Sequence, residues 1–431
     1  MDIRNMGSRL ELFLDHYLIA EQRGTRLVLQ TPQLQPPCDA PPDPGHYATV
    51  ILDGDIYRMW HRGLDPQEPA VAADYYCYEE SRDGIHWVKP DLGLYEVGAP
   101  AESGALAHSG HNNVVLAGMG DFGHNLSPFL DGKPGTPPEE RFKALAGSSK
   151  TGLHPFVSRD GLHWTKRDGP VITHDGFAFD SQNVAFWSAL ENCYVCYYRT
   201  WKQRLRAIRR ATSDDFVHWS AGQDTGANLP GEHLYTSVTH PYFRAPHLYI
   251  ALPTRLMEQR GCSTDILLMS SRGGPRFDRT FTEAFIRPGL DPHEWTNRAN
   301  YAAENVVPTG PGEMSIYVRG RRYALRTDGF IALNGPFAGG EMLTHPLTFD
   351  GRELVLNYAT SASGALRVEL QDAEGHALPG YALDDCPALV GNEIERVVAW
   401  HGGSDLSALA GKPVRLRFAL QDADLFSLRF V

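Results

Sequence analysis

The heptapeptide Ser-Arg-Asp-Gly-Ile-His-Trp at 81–87 returns as Ser-Arg-Asp-Gly-Leu-His-Trp at 158–164. Degenerate copies follow as Ser-Asp-Asp-Phe-Val-His-Trp from Ser213 to Trp219 and Ser-Arg-Gly-Gly-Pro-Arg-Phe from Ser271 to Phe277. A last echo, Arg-Thr-Asp-Gly-Phe, runs from Arg326 to Phe330. After a first interval of 77 residues the starts are 55, 58 and about 55 apart. Self-similarity at a period of about 50 residues means that one supersecondary unit packs against its own copies. Asp-Gly is a hairpin signal, and each copy follows an aromatic or β-branched run, such as Asp-Tyr-Tyr-Cys-Tyr-Glu-Glu at 74–80. The repeat reads as a structural latch in a set of like hairpins, not as an active site.

Five such signals predict an all-β fold, a five-bladed β-propeller over 41–335. A Gly/Pro-rich insertion at about 117–140 lengthens the first interval. No sustained helical period is present. After Phe337 the heptapeptide disappears while short alternating strands and turns continue, which predicts a β-sandwich over 336–431. Residues 1–40 are expected to form an N-terminal arm packed on this body. The 431 residues suffice to bury a core without staples, and the six cysteines are too few for a disulfide framework. Cys193 and Cys196 fall at i and i+3 on an aromatic strand, so they point to opposite faces, unsuited to a shared metal. A net charge of −12 argues against a nucleic-acid partner. No apolar run of membrane-spanning length occurs, and Asp15 and His16 break the one apolar stretch near the start, so no export signal is read and a cytoplasmic location is expected.

In a propeller the first strand of each blade lines the axis, and all five begin at one face. Acids just ahead of those strands would meet in one pocket. Asp43, Asp180 and Glu232 precede the first strands of blades one, three and four. This constellation resembles the furanosidase superfamily of glycoside hydrolases, especially family 32 (invertase/inulinase-like) and more loosely family 43. Asp43-Pro44, Phe179-Asp180-Ser181 and Glu232-His233 stand where the family's motifs stand, without the Arg before the Asp and the Cys after the Glu that family 32 carries. The resemblance implies a hydrolase in which two carboxyl groups flank the scissile bond. On the family-32 pattern Asp43 is the nucleophile, Glu232 the acid/base and Asp180 a stabiliser of the transition state. On the family-43 pattern Asp43 is a base that activates water. Glu304 and Asp15 are rival acids.

The second strand of each blade returns to the acid face and ends in a basic residue: Arg62, Arg199, Arg255 and Arg319, with Lys150 in blade two. They read as partners of the acids or as a cationic rim for an anionic sugar, because guanidinium forks match carboxylate and sulfate oxygens. Gln182 and Asn183, beside Asp180, are further substrate-binding candidates. So is Trp60, with Trp187 and Trp201 as other stacking platforms. His124, His174 and His240 could approach the pocket. No metal-ligand spacing is read and no cofactor is expected. The leading expectation is an exo-acting glycosidase with a small glycoside or oligosaccharide as partner, possible as a homo-oligomer. A phosphorylase or transglycosylase on the same scaffold, or a carbohydrate-binding propeller without turnover, are the alternatives.

Overall fold

The computed structural model describes residues 3–42, 45–64, 72–100 and 106–431. The protein is all-β; among the described residues the only helical segments are short 3-10 turns. Two compact units divide the chain, one of residues 32–324 and one of 1–31 with 325–431.

Residues 32–324 form successive antiparallel sheets, each built from consecutive strands. The first orders His46–Asp53, Ile56–Leu64 and Ala72–Ser81, with Trp87–Val88 and Val114–Leu116 both paired to Ala72–Ser81. The second holds Ser127–Leu130, Phe142–Ser148, Gly152–Ser158 and Thr165–Lys166. The third holds Val184–Ser188, Cys193–Lys202, Leu205–Ser213 and Gln223–Asp224. Next come two three-stranded ladders, His240–Tyr242 with Ala245–Ala251 and Met269–Ser271, and His233–Leu234 with Thr254–Met257 and Ser263–Ile266. Pro253, which has no N–H to give to a ladder, sits where the long strand is interrupted. The last sheet orders Val307–Gly310, Glu313–Val318 and Arg321–Arg326, and its fourth strand is Gln33–Leu34 from the start of the chain.

Two details depart from the sequence reading. Val114–Leu116 belongs to the first sheet, and the first strand of the second sheet, Ser127–Leu130, lies inside the stretch taken for an insertion. It is four residues long, contains Pro128 and has Gly/Pro-rich flanks, so alternation is too brief to register. The outer position of the last sheet is taken by Gln33–Leu34, so no hairpin of its own follows that sheet's third strand there.

The first strands of neighbouring sheets lie beside one another, His46–Asp53 against Ser127–Leu130, then Val184–Ser188, then His240–Tyr242. Val306 N donates to His240 Nε2 (3.2 Å), joining the fourth to the fifth. The fifth returns to the first by a parallel bridge: Val50 N donates to Glu304 O (3.0 Å) and Glu304 N to Ala48 O (2.8 Å).

The heptapeptide is a self-satisfied turn. In 158–164, Asp160 Oδ1 accepts from Leu162 N and His163 N (2.9 Å each), and Ser158 Oγ accepts from Gly161 N (2.9 Å). Asp160 Oδ2 meets His163 Nδ1 at 2.8 Å. Residues 81–86 and 213–218 repeat these bonds atom for atom. The glycine is left-handed (φ +71 at Gly84, +77 at Gly161), and its carbonyl is captured by a ring of the preceding sheet. Trp60 Nε1 donates to Gly161 O (2.7 Å), and Tyr317 Oη donates to Gly84 O. Phe216 takes the glycine's place at φ +68 and buries its ring against Phe129 and Tyr194.

The other unit is dominated by two long paired strands, Leu354–Gln371 and Arg415–Phe430, whose register shifts between Thr360 and Ala365. Ile331–Gly335, Gly340–Thr344, Asn392–Val397 and the N-terminal strands Glu11–Leu12, Ile19–Arg23 and Arg26–Leu29 complete the sheet around them. Its core includes Leu356, Val368, Leu416, Phe418 and Phe430, all fully buried. The Asp328 turn of the last echo lies in this unit, bonded to Asn357 and Ser427.

A Cβ at Gly161 would lie 2.6 Å from the Trp60 ring and would sit on a left-handed backbone. Gly161→Ala is expected to destabilise the protein by about 1–3 kcal/mol. Gly110→Ala, where a Cβ meets nothing within 4 Å, leaves it unchanged. Thermal unfolding of the two variants beside wild type measures the difference.

Candidate functional site

One residue from the head of each first strand meets at a single face: Tyr47, His124, Asp180, Tyr235 and Tyr301. Tyr47, Tyr235 and Tyr301 are buried and form a floor. Tyr47 and Tyr301 ring centroids are 5.7 Å apart and Tyr235 and Tyr301 5.5 Å apart. His124 stands 5.8 Å from Tyr47, and His46 5.7 Å from Tyr301. Burial pushes the Tyr47 and Tyr301 hydroxyls well above the ordinary tyrosine value, so both keep their protons.

Asp180 is presented by a tight turn. Phe179 adopts φ +65, and Ser181 N donates to Phe179 O (2.7 Å). Two buried amides grip the turn from below. Asn125 Nδ2 donates to Phe179 O (2.7 Å) and Ser181 O (2.9 Å), and Asn183 Nδ2 donates to the same two carbonyls (2.9 and 2.8 Å). An aromatic residue in the left-handed region is strained, and strain of this kind persists where surrounding bonds over-determine it. The Asp180 carboxylate is thereby held up into solvent, 41% exposed, with His124 Nε2 at 3.2 Å and Arg199 Nη2 at 3.0 Å. Burial works to raise its pKa, but the His124 bond and the Arg199 charge prevail and hold it below the ordinary carboxylate value. A hollow of about 230 Å³ opens beside it, lined by Asp74, Asp121, His124, Lys150 and Phe177.

Glu258, not singled out from the sequence, is a further exposed carboxylate of this face, also 41% exposed, in addition to Asp74 and Asp121 at the hollow. It follows the strand Thr254–Met257 and pairs with Arg206, with His233 Nε2 3.8 Å away. The Arg206 bond holds its pKa below the usual range. Arg199, Arg206 and Arg298 all stack on Tyr235, with guanidinium carbons 5.1, 5.3 and 5.4 Å from the ring centroid. Tyr235 thus ties the Asp180 and Glu258 pairs into one cluster.

The expected residues distribute as follows. Asp43 lies outside the described residues. Asp180, Arg199, Arg62 and Arg319 surround the tyrosine floor; Arg62 pairs with Asp74 at 2.7 Å, and Arg319 Nη1 reaches Arg298 O at 3.5 Å. Glu232 is not offered to a substrate. It is buried, Arg279 forks both of its oxygens (2.6 and 3.1 Å), and Leu229 N donates to it (3.1 Å). Arg255 is turned to Asp265 and the Thr282 carbonyl, away from the floor. Trp60 is fully buried as the latch ring. Gln182 and Asn183 are also buried. Gln182 bonds Ala48 O (3.0 Å) and Thr49 Oγ1 (3.2 Å), so these two brace the face from beneath and do not touch its surface. Trp201 flanks Arg206, whose guanidinium carbon is 4.5 Å from its ring. Glu304 is buried on the axis and accepts from Thr49 Oγ1 at 3.1 Å; burial pushes its pKa well above the ordinary value. Among the described residues no three His, Cys, Asp or Glu side chains converge as metal ligands.

A pattern of acids ahead of apolar strands does not single out the tyrosines: Tyr47 lies one residue inside its strand, while His124, Asp180, Tyr235 and Tyr301 lie three to six residues before theirs, so no common offset marks them in the sequence. Glu232 is claimed by Arg279, 47 residues downstream, a pairing that nothing local in the sequence signals.

No family model matches the sequence and no curated protein matches it. Solved structures with a similar chain path include a Bacillus subtilis family 43 arabinoxylan arabinofuranohydrolase in complex with cellotetraose. Its identity is 13% and its TM-score 0.43, over 90% of this chain and 95% of that one. A second is an N-acetylgalactosamine deacetylase from F. plautii in complex with blood group B trisaccharide, at 12% identity and TM-score 0.41 over 87% and 94%. A third is a Penicillium chrysogenum α-L-arabinanase complexed with arabinobiose, at 13% and 0.36 over 75% and 94%.

Glu304 keeps its proton in the fold but loses it on unfolding above the ordinary Glu value. The folded state then binds more protons than the unfolded, and stability falls as pH rises. Glu304→Gln, which keeps an acceptor for Thr49, removes this slope. Its melting temperature relative to wild type is expected to rise between pH 5 and pH 8, as differential scanning calorimetry at the two pH values would show.

Proposed function

We propose that this face hydrolyses glycosidic bonds at the end of a small glycoside or oligosaccharide, on a five-bladed propeller whose blades are the successive sheets of residues 32–324. The second unit is read as the β-sandwich of the same enzyme. The observation that carries the reading is the convergence of two exposed carboxylates, Asp180 and Glu258, on one floor of tyrosines and arginines. A glycosidase needs carboxyl groups on opposite sides of an oxocarbenium-like centre. Asp180, kept ionised, has the charge to stabilise that centre or to activate water. Glu258, whose partner Arg206 shares Tyr235 with Arg199, replaces Glu232 as the candidate for proton transfer, and the resemblance read from the sequence keeps Asp43 as a further candidate. The hollow beside Asp180 has the scale of a single sugar ring, which supports action at a chain end.

A second reading, carbohydrate binding without turnover, is favoured by one observation. Asp180 is held ionised by the His124 bond and Arg199, and Glu258 by Arg206, so neither is a ready acid in the free protein.

Turnover of aryl glycosides and short oligosaccharides, with and without phosphate, separates these readings. In a hydrolase Asp180→Asn and Glu258→Gln each lower kcat by about 100-fold or more, and phosphate makes no difference. No turnover by wild type across the panel, with sugar binding intact, supports the binding module. Glu232→Gln, by contrast, breaks a buried pair and costs about 3–5 kcal/mol of stability, while kcat per folded molecule stays near wild type.

A further inference from the structure

The arginines of the floor are not equivalent. Arg199 is matched by Asp180, Arg206 by Glu258 and Arg62 by Asp74. Arg298 makes no ion pair among the described residues, although its charge helps to lower the pKa of Glu258; its Nε, like those of Arg199 and Arg206, is buried without an acceptor. Its backbone is left-handed (φ +56). Arg298 N donates to Cys262 O (3.0 Å), and Arg298 O accepts from Arg319 Nη1 (3.5 Å), so the loop that carries it is pinned. The guanidinium lies over Tyr235, the ring shared by both carboxylate pairs. His46 is packed on Tyr301 and is paired across its strand with Arg62. Burial and the charges of Arg319, Arg62, His124 and Arg298 lower its pKa to about 3, so it is a neutral imidazole at any ordinary pH. A chain of net charge −12 thus places an unmatched guanidinium, a second arginine and a neutral imidazole at the site where a sugar would bind.

We propose that Arg298, with Arg319 and His46 beside it, binds the carboxylate of a uronic acid, making the substrate an acidic sugar. This rests on the saccharide reading above and names its substrate class. A planar carboxylate matches a guanidinium fork in two parallel hydrogen bonds, and pairing in a partly desolvated site is stronger than in water. A neutral sugar can offer a hydroxyl as acceptor, but it cannot fork the guanidinium with two charged oxygens and leaves the charge unbalanced. A sulfated sugar offers oxygens of similar spacing, and the measurement separates the two anions.

The test is equilibrium binding by calorimetry at low salt, which needs no turnover. The probes are galacturonate, glucuronate, galactose, glucose and galactose 6-sulfate. Wild type is expected to bind at least one uronate about 10-fold or more tightly than its neutral counterpart, and Arg298→Gln to remove that preference while its melting temperature stays near wild type. Arg298→Lys, which keeps the charge without the fork, retains part of the preference, and it stands in if the Gln variant does not fold. Equal affinity for acidic and neutral sugars overturns the proposal, as does a uronate preference that both variants leave intact. Preferential binding of the sulfate over both uronates overturns the carboxylate assignment. Hydrolysis of neutral glycosides with no uronate preference upholds the glycosidase and rejects this inference alone. Absence of binding to every probe rejects it as well.

Discussion

The carbonyl of a hairpin glycine, captured by an aromatic donor of the neighbouring sheet, is the interaction on which residues 32–324 depend. Trp60 reaches Gly161 and Tyr317 reaches Gly84. Each bond spans two sheets, so a sheet is fixed in angle against its predecessor and not merely packed on it. The heptapeptide makes this possible by satisfying its own polar groups first. Asp160 and Ser158 absorb the turn's N–H groups, and the glycine carbonyl, which also accepts from Trp164 of the same turn, is left aimed at the neighbouring sheet. The same turn that looks like a repeated motif in the sequence is therefore a repeated joint in the fold.

Fixing sheets at this joint brings their first strands side by side, and that placement assembles the functional face. Tyr47, His124, Asp180, Tyr235 and Tyr301 are far apart in sequence and share only their position at a strand head. Beneath them Asn125 and Gln182 tie neighbouring strand heads together through hydrogen bonds from buried side-chain amides, and Asn183 braces the Asp180 turn itself. The strained turn at Phe179 is affordable because four hydrogen bonds from two asparagines hold it. The result is a rigid carboxylate on a rigid floor, the preorganisation that both binding and catalysis require.

Charge on this face is organised by pairing. Asp180 pairs with Arg199 and Glu258 with Arg206, and both arginines also lie on Tyr235. The pairing keeps Asp180 and Glu258 ionised and positions them at the same time. Arg298 lies over the same ring without an ion pair of its own among the described residues. Buried Glu232 and Arg279 show the opposite use of the same chemistry, a closed pair that stabilises a loop and is shut off from solvent.

Much of this protein was legible in one dimension. The turn chemistry of Ser-x-Asp-Gly is local, so its copies announced the hairpins, their spacing and an all-β chain. The position of Asp180 followed from the same periodicity. What the sequence could not decide was which charged group faces which. Glu232 and Glu258 are both glutamates near apolar strands, and nothing local distinguishes them. A residue 47 positions after one and 52 before the other claims each, Arg279 for Glu232 and Arg206 for Glu258. The exposure of a side chain and the identity of its partner are properties of packing between distant segments. Local sequence set the joints of this molecule, and only the tertiary structure determined which carboxylates and arginines those joints leave open to a ligand.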